Sequence, residues 1–260
     1  MFSKKFRLLI VLIIIHFMLI TPTWADNAID VKQNAIELLA KADEYRNFKG
    51  KSFTFDLKLN SMETGKDDQV FTLKVEILNS HTSLVIYNEP ISERGKVLLM
   101  AQKNLWFYAP SSHKPIRITP QQRLLGEASN GDVASTDFSG DYDPHYVGTE
   151  VVDSVTCHIL ELTAKTDSLA TYEKLKLWLR ADDFKPYKAD FFGVSGKLLK
   201  TAYFKRYEKL PNLGEKEQLT SIQIINPLTE GKQTLMEYSN FNVTEIPASR
   251  FNPNTLNRLQ

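Results

Sequence analysis

Phe53-Thr54-Phe55-Asp56-Leu57-Lys58-Leu59-Asn60 alternates an apolar with a polar residue at every step. Successive side chains of an extended strand point to opposite faces, so Phe53, Phe55, Leu57 and Leu59 fall together on one face. A helix would scatter the same residues around its axis. The stretch is therefore a half-buried strand, and working outward from it the same period recurs. Thr64-Gly65-Lys66-Asp67-Asp68 reads as a turn, after which residues 70–78 return as a second strand. Residues 84–87, 97–108, 116–118, 146–152, 156–162, 172–180, 186–192, 198–207, 220–226 and 233–241 continue the pattern, with Pro90, Pro110, Gly193, Gly196, Pro211 and Gly231 among the breaks. About 11 strands at hairpin spacing predict a mainly β chain built on a large antiparallel sheet or barrel, not on parallel βαβ units.

Upstream, residues 28–46 carry Ile29, Ile36, Leu38, Leu39 and Ala42 at roughly helical spacing, with Gly50 as a stop. Before that helix stand Lys4, Lys5 and Arg7, then an apolar run of about 13 residues from Leu8 to Ile20, then Pro22 and small residues at Thr23 and Ala25. Basic, apolar and small in that order is the pattern of a secretory signal peptide, and the run is shorter than the roughly 20 residues a spanning helix needs. Cleavage is expected after Ala25, leaving residues 26–260 as a single domain of a periplasmic protein. The signal removes three basic side chains and no acid, from a total of 32 basic and 31 acidic residues. A nearly neutral chain of this kind argues against a nucleic-acid partner. Cys157 is the single cysteine, inside a predicted strand, so no internal disulfide can form.

The segment between Gln121 and Asp143 breaks the rhythm. It holds Gly126, Gly131 and Gly140 and few alternating apolar residues, and reads as a long excursion with short helical turns near residues 121–125. Asp137, Asp141, Asp143 and His145 cluster there, but without the central glycine and distal glutamate of a calcium loop. They read as a solvated acidic loop, with a docking surface as the functional alternative. No Gly-x-Ser-x-Gly, Walker or dinucleotide glycine pattern occurs, and Gly193-Val194-Ser195-Gly196 is a hairpin turn with no helix after it. No cofactor, metal site or catalytic residue is expected, and the chain is not expected to be an enzyme.

Lys103-Asn104-Leu105-Trp106-Phe107-Tyr108-Ala109-Pro110 resembles the Leu-Trp-x-Tyr-x-Pro strand ending of the periplasmic outer-membrane lipoprotein carriers, the LolA-like family. Ser135-Thr136-Asp137-Phe138-Ser139, following Arg123-Leu124-Leu125-Gly126, resembles the longer "outer membrane lipoprotein-sorting protein" branch, whose members are often associated with RND-type exporters. The resemblance implies a strongly curved, incomplete antiparallel β-barrel with helices covering its open concave side. It also implies a carrier of an acyl chain, lipoprotein or other lipid between an inner-membrane exporter and an outer-membrane acceptor, acting as a monomer. The physics suits such a task. At about 0.8 kcal/mol per methylene, an acyl chain of ~15 methylenes is disfavoured in water by roughly 12 kcal/mol, and large aromatic groups can line a shelter for it. Phe53, Phe55, Leu57, Trp106, Tyr108 and Trp178 are the candidate lining. The alternative is a non-enzymatic adaptor of an RND-type exporter whose core is filled by its own side chains and which acts by protein docking.

Overall fold

The computed structural model describes residues 24–259 except 49, 102, 113, 136 and 212, and leaves the side chains of residues 24–33 outside the description. Apart from Trp24 and Ala25, the expected export signal lies outside the described residues. Helix α1 (Trp24–Asp43) opens the described chain. Then come β1 (Phe53–Glu63), β2 (Gln69–Asn79), β3 (Thr82–Glu89), β4 (Val97–Ala101), β5 (Asn104–Tyr108) and β6 (Ile116–Ile118). A small hairpin, β7 (Arg123–Leu125) and β8 (Ala128–Ser129), runs into α2 (Asn130–Ala134). The second half comprises β9 (Tyr142–Val152), β10 (Val155–Ala164), β11 (Lys174–Arg180), β12 (Pro186–Phe192), β13 (Leu198–Lys209), β14 (Glu217–Ile225) and β15 (Lys232–Val243).

Thirteen strands form one antiparallel sheet, ordered β6-β5-β4-β3-β2-β1-β15-β14-β13-β12-β11-β10-β9. It is two meanders that meet where β1 pairs with β15. Phe55 and Leu57 stand opposite Val75 and Leu73 on one side, and Leu57 and Leu59 stand opposite Tyr238 and Met236 on the other. The strand with the clearest alternation is thus the central one, and Phe53, Phe55, Leu57 and Leu59 are all buried. Among the described residues no pairing joins β6 to β9, so the sheet is not closed into a barrel.

The two faces are unequal. The inner face carries one large apolar cluster, running from Leu98 and Met100 of β4 through Phe55 and Leu57 to Leu177 of β11, and it includes Ala35, Leu38, Leu39 and Ala42 of α1. On the outer face Leu84, Val97, Leu99 and Tyr108 form a second cluster under Phe251 and Leu256 of the C-terminal tail. The tail is expected from sequence as a short helix and forms two 3-10 turns instead. Arg250 ties it down, donating from Nη2 and Nε to the buried Glu76 carboxylate at 2.8 and 2.5 Å.

Several boundaries differ from the sequence reading. The expected strand over 97–108 is two strands joined at residues 102–103, where Lys103 takes a φ of 57°. That division turns the twelve segments read from sequence, taken there as about 11 strands, into the 13 strands of the main sheet, and the small hairpin adds a separate sheet. The helix ends at Asp43, not at residue 46: the Tyr45 and Arg46 N–H groups turn back three residues, onto the Ala42 and Asp43 carbonyls, instead of four. The excursion between Gln121 and Asp143 is ordered. Its first residues form a turn and β7 in place of helical turns, and its helix comes later, at α2. The acidic cluster is not a solvated loop: Asp141 is buried, while Asp143 and His145 belong to exposed positions of β9.

Leu57→Ala, at the centre of the sheet, is expected to cost about 2–5 kcal/mol in urea unfolding. Val194→Thr, at an exposed hairpin tip, should change stability by less than about 0.5 kcal/mol.

Candidate functional site

The site is built around the segment that leaves β6 and returns at β9. Ala128, Val133, Ala134, Phe138 and Tyr142 of this segment join the inner-face cluster, so it packs on the sheet. Two glycines make the fit. A Cβ on Gly126, whose φ is +56°, would stand 2.3 Å from Ser61 Oγ and from Thr234 Oγ1. A Cβ on Gly131 would stand 1.9 Å from Thr171 Oγ1. These distances lie far inside van der Waals contact, so a side chain at position 126 would press on β1 and β15, and one at position 131 on Thr171 of the loop before β11.

Polar bonds then fix α2. Its first turn is capped by Ser129, whose backbone N–H donates to Asp132 Oδ2 at 2.7 Å and whose hydroxyl donates to the same oxygen at 2.8 Å. Its last carbonyl, on Ala134, accepts from the Ser83 hydroxyl of β3 at 2.7 Å. The Tyr172 hydroxyl donates to Asp132 Oδ1 at 3.1 Å, and Lys200 Nζ forms an ion pair with Asp132 Oδ2. Lys200 is only 4% exposed. Its ammonium lies 4.7 Å from the Tyr172 ring centre and 5.3 Å from that of Phe191, a cation–π setting, and donates to the Glu127 carbonyl at 3.2 Å. Burial pushes this ammonium below its ordinary range, and the facing Asp132 pulls it back up. Burial, and then Asp132, lift the Tyr172 hydroxyl well above the usual phenol value.

A second anchor joins this segment to α1. Asp43 accepts from the Phe138 and Ser139 backbone N–H groups at 2.9 and 2.7 Å and from the Ser139 hydroxyl at 2.5 Å. Burial pushes its carboxyl up to about 8, with Asp137 adding to the shift and Arg46 and Ser139 opposing it. The Arg46 guanidinium lies 4.2 Å from the centre of the Phe138 ring, and its Nη2 donates to the Ser135 carbonyl at 3.4 Å. Arg46 Nη1 and Asp141 Oδ1 are buried without hydrogen-bond partners.

Two spaces flank α2. On one side is a cleft of about 450 Å³ lined by Phe71, Tyr87, Phe107, Ile118 and Leu124, with Glu93, Gln122, Arg123 and Asn130 completing it. Phe71, Tyr87 and Phe107 meet edge to face, with ring centres 6.1 and 6.3 Å apart. On the other side a cavity of about 50 Å³ lies among Arg46, Asp132, Tyr142, Tyr172, Phe191, Phe204, Ile222, Ile224 and Met236. Asn130 borders the first space, and Gly131 and Asp132 border the second, so α2 is the partition between them.

The six residues singled out from sequence divide into three groups. Phe53, Phe55 and Leu57 lie in the inner cluster. Trp106 and Tyr108 belong to the outer cluster beneath the C-terminal tail. Trp178 belongs to a small third cluster with Cys157 and Ile159, donates from Nε1 to Glu150 Oε2 at 3.2 Å, and lies under the ammonium groups of Lys176 and Lys188 at 4.6 and 4.4 Å. Strand alternation separates them: Leu105 and Phe107 point inward and leave Trp106 and Tyr108 outward, as Leu177 and Leu179 do for Trp178. The cleft-lining Phe107 and Leu124 and the buried pair Asp132 and Lys200 escaped the sequence reading. One signal was present, since Lys200 shares parity with Ala202 and Phe204 and is a charge in an apolar row. Among the described residues no group of three or more His, Cys, Asp and Glu side chains is placed to hold a metal.

A family model described only as that of an uncharacterized protein matches residues 79–258. A LolA superfamily protein from Nitrosomonas europaea is 33% identical and superposes with a TM-score of 0.77, over 84% of this chain and 97% of that one. The chain belongs to the LolA superfamily. Two further structures share this LolA-like fold. A DUF1329 family protein from Desulfovibrio piger is 21% identical, with a TM-score of 0.72 over 87% of this chain and 99% of that one. An outer membrane lipoprotein-sorting protein domain from Vibrio parahaemolyticus is 20% identical, with a TM-score of 0.70 over 87% and 100%. No curated protein matches the chain. The LolA-like resemblance carried by residues 103–110 and 135–139 thus names the right family, even though the tryptophan and tyrosine of its first motif turn away from the inner face.

The anchor at Asp43 gives a pH signature. The folded protein holds the Asp43 proton up to about pH 8, against an ordinary value of 3.8, so this group favours folding most at low pH and the benefit is lost as pH rises to about 8. Between pH 5 and pH 8 the wild type should lose more than ~1 kcal/mol in chemical unfolding through this group, and Asp43→Asn should flatten that fall.

Proposed function

We propose that this LolA superfamily member is a periplasmic carrier. It takes up the acyl chain of a lipid, lipoprotein or similar amphiphile in the cleft beside α2 and passes it from an inner-membrane RND-type exporter towards an outer-membrane acceptor. The observation that carries this reading is the cleft itself: about 450 Å³ of space bounded by Phe71, Tyr87, Phe107, Ile118 and Leu124, within the size range of ligand sites. Phe71, Phe107, Ile118 and Leu124 are only partly buried, so apolar surface remains available to a hydrocarbon chain. With α1 and the α2 segment lying against the curved sheet as covers, a cargo chain is shielded from water and can be released when a cover moves.

The export signal pattern and the lipoprotein-sorting protein among the structural neighbours support a periplasmic setting. Among the described residues no helix is long and apolar enough to cross a membrane. The role is one of binding and not of catalysis, exercised by a monomer. Groups that might have been reactive are engaged in packing: Cys157 is fully buried, with its thiol pushed up by burial, and His158 Nδ1 is paired with the Tyr146 hydroxyl at 3.2 Å.

One observation favours the adaptor reading instead. The cavity behind α2 has only about 50 Å³, because the chain's own α1, α2, Phe138 and Tyr142 occupy the inner face. A pyrene-labelled fatty acid separates the two. The carrier reading predicts saturable uptake that Leu124→Glu weakens at least ~10-fold, by placing a carboxylate against the apolar side chains of the cleft, in a variant that a cooperative circular-dichroism melt shows to be folded. No uptake by the wild type would leave the adaptor reading standing.

A further inference from the structure

The geometry points to a head-group subsite behind α2: Lys200 and Arg46 form a receptor for the anionic head of a single-chain amphiphile, and Asp132 fills that place when α2 is docked. The inference rests on the carrier reading and adds the chemical class of the cargo.

Lys200 stands on the inner face in the same row as Ala202 and Phe204, where an apolar residue would pack without desolvating a charge. An ammonium in such a place needs an anion close by, and removing that anion is strongly unfavourable. The carboxylate it pairs with is not supplied by the sheet. It comes from Asp132 of α2, a five-residue helix on the partition between cleft and cavity. The compensation of Lys200 therefore depends on where α2 sits.

Arg46 supplies the second half. Its Nη1 is buried and donates to nothing, and the residue borders the same cavity as Asp132, Tyr172 and Phe191. A guanidinium with a spare donor suits a planar or tetrahedral oxyanion. The rest of the wall sets apolar Phe204, Ile222 and Met236 beside Ser135, Thr171 and the carboxylate of Asp141, and beyond α2 lies the cleft with its aromatic floor.

When α2 lifts, a cargo carboxylate or phosphate takes over the place of the Asp132 carboxylate. One anion replaces another beside Lys200, and the hydrocarbon tail runs past the displaced α2 into the cleft. A cargo with a neutral head offers no such exchange and would leave the Lys200 ammonium buried and unpaired. The site thus selects for an anionic head and holds its own side chain there in the absence of one.

The test is a fluorescence titration of the exported protein with cis-parinaric acid and with its neutral methyl ester. The acid should bind at least ~10-fold more tightly. Lys200→Met combined with Asp132→Asn, which removes both charges and leaves neither partner stranded, should lose most of the preference for the acid, and adding Arg46→Gln should abolish it. Arg46→Gln should reduce the preference several-fold while leaving the ester unaffected. Displacement by palmitate or by lysophosphatidate then tells a carboxylate from a phosphate head. Equal affinity for acid and ester in the wild type overturns the head-group subsite alone, as does a preference that survives undiminished in the double variant or failure of both competitors to displace the acid. Failure of both probes to bind overturns the carrier reading with it.

Discussion

A charged pair in an oily interior decides where the pieces of this molecule sit. Asp132 and Lys200 meet on the inner face of an open sheet, in surroundings where neither charge is stable without the other. Because one partner belongs to the sheet and the other to α2, the pair fixes α2 in place. Through α2 it fixes the division of the inner face into an open cleft and a nearly filled cavity. The glycines at 126 and 131 make the approach possible, and the Ser129 cap points the carboxylate.

The sheet creates the need for this arrangement. An antiparallel sheet of 13 strands, whose outer strands pair on one side only among the described residues, has two faces to cover, and the chain covers them by different means. The C-terminal tail lies across the outer face of the first meander and is pinned by Arg250 and Glu76. The inner face receives α1 and the 119–142 segment, joined to each other through Asp43 and the 138–139 backbone. The inner cover is held both by apolar contacts, through Leu38, Leu39, Val133 and Phe138, and by the polar bonds at Asp43 and Asp132.

Much of the fold was legible because period two is a strong signal wherever one face of a strand is buried. Phe53 to Leu59 announced the central strand, and the hairpin spacing announced the antiparallel meanders. The division between β4 and β5 was not legible, because their turn is made without glycine or proline and by Lys103 in a left-handed conformation. The hairpin of β7 and β8 was hidden by its length, since strands of three and two residues are too short to show a period. The candidate site was legible only in part. Aromatic content pointed to Trp106, Tyr108 and Trp178, but which parity of a strand turns inward is set by register with its neighbours. Phe107 rather than its two flanking aromatics reached the cleft for that reason.

The proposed role of the inner face is to shelter a hydrocarbon chain. Mass spectrometry of small molecules extracted from the protein after gentle purification from the periplasm tests it most directly. The account predicts near-stoichiometric amounts of one class of acylated molecule in the wild type and its loss in Leu124→Glu. A wild-type protein that carries no acylated molecule, and acquires none on incubation with total envelope lipid, would contradict it.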